Sequence, residues 1–383
     1  MAESDSEKYP GLGLVETKHA VLCEDGLELS SGVKFGPIRI AYETYGQLND
    51  KKDNAIFICH ALSGGAHAAG WHEGDRKPGW WNNMIGPGKS FDTDRYFVIC
   101  ANVPGGCYGS SGPGSINPDT GKAYGLRFPV FTIADMVNAH VHLLDYLGID
   151  KLLCVAGGSM GGMLALQWSV AYPERVQSSI IIASTYQHSP QQIAFNEIAR
   201  QSIMADPAWN KGDYYDGEGP RTGLAVARMT GHVTYLSERG MEIKFGRRLQ
   251  DRIKYGYDFS MDFEVESYLR YQGNSFVDRF DANSLLYLTK ALDYFDLMQD
   301  RKSLTEAFVN TEDVLYLLIA FSTDWLYPPQ QLKDVAKAIR RSGGDATYYE
   351  ISSDYGHDAF LLDYKKQEPL VRSFLERAMT AEK

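Results

Sequence analysis

The stretch "VAGGSMGGMLALQWSVAYPERV", residues 155–176, decides how the chain folds. The apolar run from Leu152 to Ala156 is short enough for a buried strand and gives way at once to Gly157 and Gly158. Beyond the glycines, Met163, Leu164, Leu166 and Gln167 are good helix formers, and Pro173 stops the pattern after Tyr172. A strand that turns this sharply into a helix forces the residue at the turn into a strained backbone conformation, and neighbours without side chains relieve the crowding. Ser159 is that residue, expected to stand at the carboxyl end of the strand. Gly157-Gly158-Ser159-Met160-Gly161 fits G-x-S-x-G, in which the serine is a nucleophile and the amide after it donates to an oxyanion. The pentapeptide alone reads equally well as a tight turn with a chance serine. The strand and helix around it favour the nucleophile, and the rest of the chain must then supply a histidine and a carboxylate.

Three apolar runs precede this turn: "IRIAYETYG" (38–46), "NAIFICHALSG" (54–64) and "RYFVICANVPG" (95–105). Each ends in glycine or polar residues, as strands feeding functional loops do. In "TIADMVNAHVHLLDYLGI", Ile133, Met136, Val137, Val141, Leu144 and Leu147 recur at helical spacing, with Gly148 as the stop. Further strands are expected at 177–184, 313–329 and 346–352, and a closing helix in "EPLVRSFLERAM". The fold class is therefore α/β, a mostly parallel sheet with helices on both faces. From about residue 187 to 310 the chain is rich in Tyr, Arg, Asp and Gln with helical periodicity. That division gives a core domain of residues 1–186 and 311–383 and a helical lid insertion of residues 187–310 over the strand ends.

On such a fold the serine's partners follow it in the order acid, then histidine, each after a later strand. Asp324 closes "LYLLIAFSTD" and His357 follows "YYEISSDYG". A neutral serine hydroxyl is a poor nucleophile, so an imidazole must take its proton, and a carboxylate must hold the imidazole's tautomer. Asp313 precedes its strand and lies at the wrong end; Asp354 and Asp358 are nearby acids that also suit turns and caps. Among the other histidines, His140 and His142 fall on an expected surface helix, and His60 shapes a loop. The oxyanion donors are expected to be the backbone amides of Met160 and of Leu62, the latter in the glycine-rich "HALSGGAHAAG".

The net charge of −11 argues against nucleic-acid and anionic-membrane partners. The start, "MAESDSEKYP", lacks an apolar signal region, no run is long enough to span a membrane, and five cysteines fit a reducing cytoplasm. Cys59, Cys100 and Cys154 sit in strand-like runs and are expected to pack; Cys107, in a loop, is the one thiol with any prospect of reactivity. No metal is expected. His67, His72 and Glu73 are near one another in sequence, but a polar surface loop accounts for them without an ion.

The blocks "CHALSGGAHAAGWH", "GWWNNMIGPGKSFDTDRYFVICANVPGGCYGSSGP", "GGSMGGMLALQWS", "IAFNEIARQSI", "GLAVARMTGHVTYLS", "SYLRYQG" with "RFDAN", and "GHDAFL" together closely resemble the homoserine O-acetyltransferases, over about residues 10–376. The resemblance implies the α/β-hydrolase fold and acyl-CoA-dependent transfer in methionine biosynthesis. Acetyl-CoA, as co-substrate rather than a permanently bound cofactor, would acylate Ser159, and His357 would then activate the γ-hydroxyl of L-homoserine in a ping-pong course. It further implies that Arg228 and Asp358 hold the amino acid, with Tyr235 adding a hydroxyl contact, and that the enzyme is a homodimer. Arginine offers a carboxylate a planar two-point grip, and an aspartate suits an ammonium. Read without the resemblance, Arg228 is a solvated helix face and Asp358 a helix cap. Succinyl-transferring relatives share nearly all these blocks, so succinyl-CoA as donor stays open, as do serine as acceptor, a serine esterase of the same fold, and a non-catalytic scaffold.

Overall fold

The computed structural model describes residues 9–381. Its strands are β1 (Lys18–Leu22), β2 (Leu27–Glu28), β3 (Lys34–Phe35), β4 (Ile38–Tyr45), β5 (Ala55–Cys59), β6 (Phe97–Ala101), β7 (Cys154–Gly158), β8 (Ser178–Ile182), β9 (Leu315–Phe321) and β10 (Asp345–Ile351). The α-helices are α1 (Ile133–Leu147), α2 (Met160–Ala171), α3 (Pro190–Met204), α4 (Arg221–Tyr235), α5 (Glu238–Lys244), α6 (Glu264–Val277), α7 (Ala282–Tyr294), α8 (Pro329–Arg341), α9 (Ala359–Leu362) and α10 (Tyr364–Thr380).

Eight strands form one sheet in the order β1-β4-β6-β5-β7-β8-β9-β10, while β2 and β3 pair separately. Strand β4 runs antiparallel to both β1 and β6. All other neighbours in the large sheet are parallel. Every residue of β5, β7 and β8 is buried, as strands covered on both faces require. Alternation along them supplies two cores: Phe57, Val155 and Ile181 face the side of α1 and α2, and Ile56, Ala156 and Ile180 face the side of α10. Helix α1 starts with a capping box from Thr132 to Asp135 and stops at Gly148 in the left-handed region, φ 66°.

Two expectations need correction, and three parts of the fold had none. The strand expected at 152–156 sits two residues later, because Gly157 and Gly158 complete β7 while Leu152 makes only an isolated bridge to Val176. His140 is not on a surface: it is fully buried, its ring 5.0 Å from that of Phe57, and burial pushes its pKa down to about 3. The edge strand β1, the β2–β3 pair and α8 went unread, although Leu332, Val335, Ala336 and Ile339 of α8 have the buried spacing of a helix on a core.

Residues 187–310 carry α3 to α7 and no strand. Helix α7 is nevertheless largely buried, and its Leu285, Leu288 and Leu292 belong to the same apolar cluster as α1 and α2. Cys59, Cys100 and Cys154 are buried, and burial pushes the partly covered Cys107 thiol up to about 12, which removes its prospect of reactivity at neutral pH. No helix among the described residues is long and apolar enough to cross a membrane.

Candidate active site

Ser159 has φ 59° and ψ −125°, a left-handed strained conformation held between β7 and α2. Its surroundings pin it there. Its N–H donates to the Ile182 carbonyl at 3.0 Å, and its own carbonyl accepts from Gly162 N–H at 2.9 Å and from the Ser184 hydroxyl at 2.8 Å. The four glycines around it are all spatially required. A Cβ on Gly161 would stand 2.0 Å from the Cys59 carbonyl oxygen, and one on Gly157 2.4 Å from the Gly161 carbonyl group. A Cβ on Gly158 would meet the Phe360 ring at 2.4 Å, and one on Gly162 the Ser184 Cβ at 2.5 Å. Strand β5 and helix α2 thus approach more closely than any side chain allows, and the Ser159 backbone is clamped as a result.

The three expected catalytic side chains meet. His357 Nε2 lies 2.9 Å from Ser159 Oγ, and His357 Nδ1 lies 2.8 Å from Asp324 Oδ2. The other carboxylate oxygen of Asp324 accepts the Tyr327 N–H at 2.9 Å. Asp324 and His357 are each 2% exposed and Ser159 9%, so the chain of hydrogen bonds is shielded from water and opens only at the serine. Because the Ser159 amide is spent on Ile182, the amide free to meet an oxyanion is that of Met160, the first residue of α2. Leu62 lines the same cavity as Ser159.

Arg228 and Tyr235, both on α4, line that cavity too. The Arg228 guanidinium lies 4.6 Å from the Phe276 ring centre and 5.5 Å from that of Tyr235, flanked by their π-faces. Its Nε is buried without a hydrogen-bond partner, and its Nη1 reaches only Ser63 Oγ, at 3.5 Å. An arginine this poorly partnered is prepared for an anion. Asp358 follows His357, within electrostatic reach of Arg228 and Tyr235. Gly356, at φ 64°, lets this turn pack on the end of α4: a Cβ there would stand 2.5 Å from Ser237 N. Trp325 Nε1 donates to the Leu236 carbonyl at 2.9 Å, so the end of α4 is tied to both the acid loop and the histidine loop.

One part of the site escaped the sequence reading. His188, 7% exposed, lines the cavity between Asp293 and Tyr327: Nδ1 is 3.2 Å from Asp293 Oδ1, and Nε2 is 2.9 Å from the Tyr327 hydroxyl. Burial alone would raise the Asp293 carboxyl's pKa, but hydrogen bonds from His188, Asn196 and Arg200 outweigh it and hold the group below its usual range. His188 follows β8 in "STYQHSP", a position at a strand end that could have marked it.

Residues 54–364 match the α/β hydrolase fold family. The homoserine O-acetyltransferase of Methanohalobium evestigatum is 58% identical over 375 residues, covering 98% of this chain and 76% of the relative. The chain belongs to the homoserine O-acetyltransferase family. Membership makes it an enzyme, an acyltransferase. Among solved structures, homoserine O-acetyltransferase from Bacillus anthracis superposes with a TM-score of 0.90 at 32% identity, covering 96% of this chain and all of that one (100%). Esterase E22 superposes with a TM-score of 0.86 at 32% identity, covering 94% and 100%. The family's architecture therefore also carries hydrolysis, and the surroundings of the serine must separate the two outcomes.

Asp358 gives a test that needs no substrate. Burial raises its pKa from an ordinary 3.8 to about 6, against the pull of His357, Arg228 and Lys244. Below the lower value the carboxyl is protonated folded or unfolded; between the two only the folded chain keeps the proton; above about 6 the cost of the buried charge is complete. Wild-type stability therefore falls as pH rises through that window. Asp358→Asn should be more stable than wild type by about 1–3 kcal/mol at neutral pH, with the gap closing towards pH ~4. Melting curves across this range check it, and a gap independent of pH would show that Asp358 carries no such penalty.

Proposed function

We propose that this chain transfers an acetyl group from acetyl-CoA to the γ-hydroxyl of L-homoserine through an acyl-enzyme on Ser159, as a step of methionine biosynthesis. His357 Nε2 takes the Ser159 proton as Oγ attacks the thioester carbonyl, and the Leu62 and Met160 amides receive the oxyanion. Collapse breaks the carbon–sulfur bond, and the CoA sulfur leaves with the proton from His357. Homoserine then gives its hydroxyl proton to His357 and attacks the acyl carbon; the second collapse returns that proton to Ser159 and releases the ester.

The observation that carries this reading is the under-partnered Arg228 in the cavity of Ser159, with Asp358 nearby. An esterase gains nothing from that cation, whereas a zwitterionic acceptor needs both charges. Arg228 also favours acetyl over succinyl as the group transferred. It is the only lysine or arginine among the described residues lining the cavity, and once it holds the homoserine carboxylate, a succinyl carboxylate has no cation left. Helices α3 to α7 act as a lid that positions homoserine and excludes water, the rival acceptor. A homodimer is expected, and Ile253, Tyr257 and Phe259, each more than nine-tenths exposed on the α5–α6 connection, are its candidate contact.

Release of CoA thiol from acetyl-CoA or succinyl-CoA, each with L-homoserine, L-serine or no acceptor, tests the proposal. Turnover should require homoserine, prefer acetyl-CoA and vanish in Ser159→Ala. A preference for succinyl-CoA would overturn the donor assignment alone. Equal thiol release with and without homoserine would favour the esterase.

A further inference from the structure

The two histidines after β5 do meet an acid, but it is Glu43 of β4 rather than the exposed Glu73. Glu43 is fully buried. Its Oε2 is 3.0 Å from His67 Nδ1 and its Oε1 is 2.9 Å from His72 Nε2. The imidazoles stack with ring centres 3.8 Å apart and planes 28° from parallel, turning one nitrogen each towards the same carboxylate. Thr17 and Tyr45 complete the shell, each donating a hydroxyl to one oxygen of Glu43 at 2.8 Å.

We propose that Glu43, His67 and His72 bind one divalent transition-metal ion, with zinc the best match to the donor set. Three features converge on this. First, a buried carboxylate needs a countercharge, and among the described residues its ion-pair partners are these two histidines, neither of them a permanent cation. Two stacked imidazoliums would repel each other; a metal ion supplies the charge while both rings stay neutral. Second, bonds of about 2.0–2.1 Å to one tetrahedral ion place neighbouring ligand atoms roughly 3.3–3.4 Å apart; the three donor atoms lie within 4.8 Å of one another, each imidazole nitrogen against its own oxygen of Glu43, so side-chain shifts alone bring them onto one ion. Third, His67 Nε2 is buried without a hydrogen-bond partner and Asp75 Oδ2 lies 3.4 Å from it, so a small shift would let that carboxylate orient a ligating imidazole.

The imidazoles are 24% and 36% exposed, which gives an ion a way in and leaves room for water as a further ligand. None of the three residues lines the catalytic cavity. The ion would instead fasten the loop after β5 to strand β4 and to the amino-terminal arm at Thr17. Leu62 belongs to that loop, so the metal would stiffen an oxyanion donor from outside the site.

The test is titration of the chelator-stripped protein with zinc chloride by calorimetry, and with cobalt(II) chloride by visible absorption. One ion per chain is expected, with a cobalt spectrum of nitrogen and oxygen ligation and no sulfur-to-cobalt charge-transfer band. Affinity should fall at least about a hundredfold in His67→Ala/His72→Ala and measurably in the milder His72→Gln. Zinc should raise the melting temperature of wild type and not of the double variant. Absence of saturable binding overturns the proposal, as does a thiolate band or unchanged affinity in the variants. The wild-type spectrum decides the ligand type even if the double variant fails to fold.

Discussion

Replacing Asp324 by asparagine should lower the turnover number about ten-thousandfold, a loss known from triads in which the histidine's tautomer is reversed. The hydrogen bonds around Asp324 give the reason. Its Oδ1 accepts the Tyr327 N–H, so an asparagine is obliged to place its single oxygen there and its NH2 against His357 Nδ1. That nitrogen must then accept, which moves the imidazole proton to Nε2, facing Ser159 Oγ. A protonated Nε2 cannot take the serine's proton, and attack on the thioester stalls. Burial of the pair prevents water from rescuing the tautomer. Single-turnover acylation by acetyl-CoA measures the effect directly, and a loss of less than about tenfold would mean that Asp324 only shapes the loop.

Arg228→Ala should divide the reaction in two. Acylation of Ser159 by acetyl-CoA should stay within a few-fold of wild type, while kcat/KM for homoserine falls about 100–1,000-fold, or ~3–4 kcal/mol of lost transition-state binding. The guanidinium makes one long hydrogen bond to protein and otherwise lies against the Phe276 and Tyr235 rings, so its removal costs the fold some packing and the acceptor its charge partner. Arg228→Lys should recover only part of the loss, because an ammonium cannot make the two-point grip or lie flat between the Phe276 and Tyr235 rings. Burst kinetics with and without homoserine distinguish the steps. Equal losses in both would move Arg228 from acceptor binding to the architecture of α4.

The catalytic core of this site was open to reading because its constraints are local. A nucleophile between strand and helix needs small neighbours, and four glycines announce Ser159; Asp324 and His357 each follow an apolar run that had to be a strand. What stayed hidden depends on contacts distant in sequence. Ser184 clamps the serine's carbonyl only because Gly162 leaves it room, and nothing in the order of residues shows that pairing. His188 meets Asp293 and Tyr327, 105 and 139 positions away, and Glu43 meets His67 and His72 across a strand and a loop. Arg228 is the instructive intermediate. Its helix pattern reads as solvated, and the position gains meaning only when Phe276 of α6 covers the guanidinium.

The parallel pairing of β8 with β9 joins Ser178 to Leu315 across the whole helical segment, and the catalytic serine waits for a histidine 198 positions further along the chain. A growing polypeptide can therefore form the Ser159 turn, with its strain and its free hydroxyl, long before any base exists to activate it. Non-local closures of this kind are slow because the intervening chain must be ordered first. Enzymatic activity in a refolding experiment is for that reason a late signal: it reports that the segment from β9 onward has docked, whereas helical circular dichroism begins to rise as soon as the earlier helices have formed.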